Sequence, residues 1–193
     1  MPPAALLLVL VGLAAIASLF AWNGAQAAVN PDAPAAPPLD PAGALLDAIG
    51  GAVNKITGWA PPDAAAPYLP QISAAEAAHG IPAGLLARQL YQESRYRPDI
   101  INGDTASPAG ALGIAQFMPA TARDLGIDPL DPNAAIDAAG RYMRRLYDSL
   151  GSWAEALAAY NWGIGNVKRK GLTAAPEETR NYVDQITADV PVT

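Results

Sequence analysis

An all-α domain is what the chain after Pro70 predicts, and three observations carry the prediction. Apolar residues recur there at three- and four-residue spacing. Ser, Asp and Pro stand where helices would start and Gly where they would end, and alternating β-branched runs are missing. Ser73 followed by Glu76 reads as a capping box for a short helix ending at Gly80, and Pro82 opens the next. That second helix carries Leu86 and Leu90 on one face and runs to about Arg95. From Ile100 to Gly113, Gly, Ser, Pro and Asp reach turn density, which predicts a surface loop.

The later elements follow the same logic. In "DPNAAIDAAGRYMRRLYDSLG", Asp131 is an N-cap and Pro132 takes the first helical position. Ile136, Met143, Leu146, Tyr147 and Leu150 then share a face as far as Gly151. Ser152 and Glu155 repeat the capping pattern for "SWAEALAAYNWG", and a last helix opens at Pro176 and buries Tyr182, Val183 and Ile186.

Upstream of the domain the composition changes. Ala4 to Trp22 is apolar or small except for Ser18, long enough to span a bilayer, and Ala25-Gln26-Ala27 offers a cleavage pattern. The first cationic side chain is Lys55, so the positive flank of a standard signal is missing. Residues 1–27 therefore read as either a cleaved signal peptide or a retained membrane anchor. Export follows in both cases, to the periplasm or cell envelope. Residues 28–67 read as a Pro/Ala-rich linker. Within it, Leu45, Leu46, Ile49, Val53 and Ile56 mark an amphipathic helix at 41–57, and the folded domain is expected to occupy 68–193.

Charge and composition exclude several functions. The net charge is −6 and the basic residues form no dense run, so the chain is not expected to bind nucleic acid. It has no cysteine and one histidine, His79, which removes thiol chemistry and nearly every zinc constellation. No metal and no cofactor is expected. His79, next to Gly80, reads as a helix-end residue. Chemistry must run on carboxylates, hydroxyls and amides.

One carboxylate stands out. In "YQESRYRP", Glu93 continues the face that carries Leu86 and Leu90. A carboxyl held against such a face is desolvated, its pKa rises, and it can donate a proton near neutral pH. The bland alternative is an exposed ion pair with Arg97 at i+4. Acid-catalysed glycoside cleavage ordinarily needs a second carboxylate. Asp99, Asp104, Asp128, Glu177 and Glu178 are available, and spacing nominates none of them.

Three stretches in order carry a resemblance: "QESRYRPDIINGDTASPAGALGIAQFMPATARDLGI", "ALAAYNWGIGNVKR" and "EETRNYV". Over roughly Tyr68 to Asp189 the chain resembles the soluble lytic transglycosylase family, lysozyme-like enzymes that cleave peptidoglycan glycan strands. The resemblance implies a lysozyme-like helical fold with a substrate groove, shared with goose-type lysozymes. It implies that Glu93 is the sole catalytic acid and base, and that the MurNAc C6 hydroxyl attacks C1 to leave a 1,6-anhydro product. Peptidoglycan is then the partner. The family's glycine-rich loop falls on Ser107, Gly110, Gly113, Gln116 and Met118, and Ala115 departs from the usual Met. Its "Y-N-x-G" falls on Tyr160 and Asn161, with Trp162 where a small residue is commoner, and its Glu-Thr pair falls on Glu178 and Thr179, followed by Tyr182. The resemblance makes Ser107, Gln116, Met118, Tyr160, Asn161, Glu178 and Tyr182 substrate-binding candidates, with Tyr160 placed to orient Glu93 or the sugar. A hydrolytic muramidase is the alternative enzyme. Three settings fit the leader and linker: housekeeping in the envelope, an accessory to a secretion or pilus machine, and a phage virion protein that opens the wall.

Overall fold

The computed structural model describes residues 59–190 and 192. The leader and the helix expected at 41–57 lie outside the described residues. The chain forms eight α-helices among those residues: α1 (Leu69–His79), α2 (Leu85–Ser94), α3 (Pro98–Ile101), α4 (Pro119–Leu125), α5 (Pro132–Leu150), α6 (Trp153–Trp162), α7 (Ile164–Lys170) and α8 (Glu177–Asp189). Short 3-10 turns stand at Asp63–Ala65 and Leu172–Ala174. No strand occurs among the described residues, and a single antiparallel bridge, Leu112 with Phe117, closes the loop before α4. None of these helices is long and apolar enough to cross a membrane.

Helix α6 is the centre of the packing, touching α5, α7 and α8, while α2 bridges α1 and α8 and α5 also packs on α1. Its sequence explains the position. Ala156, Leu157, Ala158 and Ala159 are all buried, so apolar residues occupy consecutive positions rather than a stripe. Around it Leu86, Leu90, Ile136, Met143, Leu146 and Ile186 fill the core, each side chain stabilising the fold by about 1.5–3 kcal/mol. Helices α1 and α5 approach closely at Gly140, where a Cβ would lie 2.8 Å from the His79 ring. His79 Nε2 and Asp137 Oδ1, 2.9 Å apart, join the two helices beside that contact.

Several caps follow the sequence. Asp131 accepts from the backbone N–H groups of Asn133 and Ala134, Ser152 accepts from that of Glu155, and Gly80 and Gly151 end their helices in the left-handed conformation. The Ser73–Glu76 capping box is corrected. Helix α1 already starts at Leu69, with Pro70 in its first turn, so Ser73 lies inside it. Glu76 turns inward instead. Its Oε2 accepts from the Gly84 N–H at 2.9 Å, and its Oε1 accepts from Leu86 at 2.9 Å and Ala87 at 3.3 Å. The first N–H groups of a helix have no partner within it, and Gly84 has no side chain to offer. A carboxylate from the neighbouring helix takes that role. Helix α2 accordingly begins at Leu85, later than Pro82 suggested.

The segment after α2 also differs from expectation. Arg95 and Tyr96 both have φ near +53°, and the chain turns there into α3, which Pro98 opens and the buried Ile101 anchors. Ahead of Tyr68, Ala65 is buried and the Trp59 ring packs 5.7 Å from that of Tyr91.

Candidate active site

The end of α2 sets the position of Glu93. The Ser94 hydroxyl donates to the Leu90 carbonyl at 3.1 Å and accepts from the Tyr96 N–H at 3.3 Å. The buried Tyr96 hydroxyl donates to the Ala87 carbonyl at 2.7 Å. These bonds lock the turn that follows, and Glu93 projects from the last helical turn, crowded by protein atoms and open to solvent on its cleft side.

Glu93 Oε1 accepts a hydrogen bond from the Tyr182 hydroxyl at 2.6 Å, so α8 reaches the carboxyl directly. Burial pushes the Glu93 carboxyl up to about 7, and the Tyr182 bond, which favours the ionised form, opposes that rise. Burial, with the Glu93 charge adding to it, holds the phenols of Tyr160 and Tyr182 well above their ordinary range, so both remain proton donors. The ion pair with Arg97 does not form. Arg97 pairs with Asp99 at 2.6 Å, and the Arg95 guanidinium lies over the Tyr91 ring, 4.6 Å from its centroid.

Two cavities meet at Glu93. One, of about 480 Å³, is lined by Glu93 together with Asn161, Glu178 and Tyr182, and by the amides of Gln92, Asn181 and Gln185. The other, of about 290 Å³, is lined by Glu93 together with Ser107 and Gln116, and by Ile100, Thr105, Ala106 and Pro108. Glu93 is the one residue that lines both.

The loop that carries Ser107 and Gln116 is built on itself. Ser107 Oγ accepts from the Ala111 N–H at 2.9 Å, and Gln116, at φ 48°, donates its Nε2 to the Gly113 carbonyl at 2.8 Å. Gly113 has φ 73°, and a Cβ there would lie 1.8 Å from the Pro129 carbonyl oxygen, so only glycine fits. The Tyr160 hydroxyl donates to the Ala115 carbonyl at 2.8 Å and fastens this loop to α6. Of the two roles expected of the Tyr160 hydroxyl, orienting Glu93 or the sugar, that bond corrects the first: Tyr182 makes the contact with Glu93.

The remaining candidates divide. Asn161 Oδ1 accepts from Thr179 Oγ1 at 2.7 Å, tying α6 to α8 at the cleft edge. Glu178 lies on the same wall. Met118 is exposed at the start of α4 and lines neither cavity. Trp162 packs against the core with Lys170 over its ring, 5.3 Å from the centroid. Sequence reasoning missed Gln92, Asn181 and Gln185. Glu178, Asn181, Tyr182 and Gln185 follow at three- and four-residue spacing, so the helical period alone places all four on one face. Among the described residues no group of three or more His, Cys, Asp or Glu side chains is arranged to hold a metal.

Similarity to known proteins bears on this site. Residues 70–183 match the family model of the transglycosylase SLT domain. The chain is 33% identical over 123 residues to the peptidoglycan transglycosylase gp16 of Escherichia phage T7, covering 55% of this chain and 9% of that protein. It is 34% identical over 108 residues to the membrane-bound lytic murein transglycosylase F 2 of Alkalilimnicola ehrlichii, covering 52% and 23% respectively. With a transglycosylase of Enterobacteria phage PRD1 it shares 36% identity over 93 residues, covering 48% and 33%. The match therefore spans a third or less of the length of each of these relatives. With the helical fold and a cleft centred on Glu93, the match over 70–183 establishes that the chain belongs to the transglycosylase SLT domain family.

Proposed function

We propose that the chain is a peptidoglycan lytic transglycosylase in which Glu93 serves first as general acid and then as general base. The observation that carries the reading is the Glu93 carboxyl at the junction of two cavities, desolvated and bonded by Tyr182. Family membership and the names of the relatives support the substrate class.

The chemistry follows from the geometry. A carboxyl raised to about 7 is substantially protonated at neutral pH and gives its proton to the glycosidic oxygen between MurNAc and GlcNAc as the C1–O bond breaks. The carboxylate that remains keeps the Tyr182 hydrogen bond and takes the proton of the MurNAc C6 hydroxyl. That oxygen closes onto C1, which yields a 1,6-anhydro end and returns Glu93 to its protonated form. Ser107 and Gln116 on one side, and Asn161 and Glu178 on the other, are the groups offered to acetamido and hydroxyl substituents.

A second reading rests on Glu178, which lines the same cavity as Glu93 and supplies the second carboxylate a hydrolytic muramidase would use on water. Product analysis separates the two. Digested wall should carry 1,6-anhydro-MurNAc ends; reducing MurNAc ends would replace the transglycosylase reading with the hydrolytic one. The proposed setting is the cell envelope after export, in line with relatives that are membrane-bound or come from phages. Fractionating cells that express the chain with and without residues 4–22 tests that assignment.

A further inference from the structure

Gln89 is fully buried in α2, one helical turn before Glu93 and on the same face. Its neighbours along the helix are Leu86 and Leu90, also fully buried, among which a leucine or methionine would pack at no polar cost. A primary amide brings two donors and an acceptor oxygen into that core. Neither Nε2 nor Oε1 completes a hydrogen bond among the described residues, although Gln89 interacts with the Tyr182 hydroxyl, which bonds Glu93 one helical turn further along the same face. Buried amides without a partner are rare enough that each needs a reason.

Tyr182 supplies one. Its single proton goes to Glu93 Oε1, which leaves the phenolic oxygen with lone pairs facing the interior. Among the described residues no other side chain donates to Glu93. Tyr160 on α6 gives its proton to the Ala115 carbonyl, Glu178 on α8 is an acceptor, Ser107 and Gln116 of the loop are uncharged, and Arg88 of α2 is engaged by Asp189 and Gln92.

We propose that Gln89 is a positioning residue for the general acid: in solution its amide N–H closes onto the Tyr182 oxygen, a bond the structure leaves uncompleted, and so directs the phenolic proton towards Glu93. A phenol that accepts a hydrogen bond is a better donor, because the two bonds polarise each other. Gln89 thereby acts on Glu93 through Tyr182 and has no contact with substrate. The catalytic meaning of this chain rests on the function proposed above; the chain itself does not.

The test uses Gln89→Leu and Gln89→Met in the full chain, each alone and combined with Tyr182→Phe. The Glu93 carboxyl is titrated by carbon NMR without substrate, its signal assigned by its loss in Glu93→Gln. In the Tyr182-containing background the Glu93 midpoint should rise by about half a pH unit, because the ionised form loses part of its stabilisation. With Phe at 182 the same Gln89 substitutions should leave the midpoint where Tyr182→Phe alone puts it. An unmoved midpoint in the first background, or an undiminished shift in the second, overturns the proposal. So does failure of both variants to fold, which would make Gln89 a packing residue. Wall digestion by the same proteins is scored separately. Wild-type turnover by Glu93→Gln sinks the acid assignment and leaves the NMR result to judge Gln89 alone.

Discussion

Tyr182 donates its phenolic proton to Glu93 across 2.6 Å, joining the last helix of the fold to the end of the second. Two groups far apart in sequence thus share one hydrogen bond at the centre of the cleft. The bond stabilises the carboxylate, while burial of the carboxyl works against it and prevails.

A pH profile follows. In the proposed mechanism Glu93 acts protonated in the first step, so kcat/KM should decline as pH rises past about 7, on a limb belonging to this group. Tyr182→Phe removes a bond that favours the ionised form, which raises the Glu93 pKa and moves the limb upward by about one pH unit. A limb that stays put or moves to lower pH in Tyr182→Phe contradicts the assignment.

Glu93→Gln should lower wall digestion by about 10²–10⁴-fold, the usual contribution of a positioned acid, with sedimentation on insoluble wall nearly unchanged. Muropeptide chromatography reads the first quantity and a pull-down the second. Comparable losses in both would make Glu93 a binding residue.

Glu76 predicts a stability profile rather than an activity profile. Burial lifts its carboxyl to about 7, against an ordinary value near 4.5, although three backbone donors pull the other way. The folded chain then binds more protons than the unfolded chain between those values. The contribution is fully present below about 4.5 and is lost as pH rises through about 7, a change of about 3 kcal/mol. In a Glu93→Gln background, which removes the other raised carboxyl, Tm should fall over this window. Adding Glu76→Gln should flatten the fall. That replacement should also lower Tm at acidic pH, by about 1–3 kcal/mol in stability, because an amide nitrogen then faces a backbone donor. An equally steep decline without Glu76 excludes it as the source.

The glycine-rich loop offers a graded comparison. At Gly110, φ is +84° and the space is open, so Gly110→Ala should cost about 1–2 kcal/mol from backbone conformation alone. At Gly113 a Cβ would collide with the Pro129 carbonyl, and Gly113→Ala should cost clearly more and displace Gln116, lowering both Tm and turnover. Equal melting temperatures for the two variants would show that the loop relaxes freely.

Much of this architecture was legible from short-range rules. Asp131–Pro132, Ser152–Glu155, Gly80 and Gly151 act within one turn of their own helix, so local spacing predicts them. Glu76 was misread because its partners belong to the next helix, and a capping pattern cannot tell which helix will use the oxygen. Glu93 stood out as a polar residue on an apolar face. That Tyr182 rather than Tyr160 would bond it depended on how α6 and α8 pack, which no local spacing encodes. Likewise α3 escaped notice, since four residues opened by a proline look like one more turn.

Arg88 carries a mechanical consequence. Its guanidinium lies over the rings of Trp59 and Tyr91, its Nε donates to Asp189 at the end of α8, and its Nη1 donates to Gln92 on the cleft wall. The first and last parts of the described fold are therefore clasped by one side chain, a single helical turn from the wall of the Glu93 cavity. Opening that clasp would release the Trp59 ring, the end of α8 and the Gln92 side chain together.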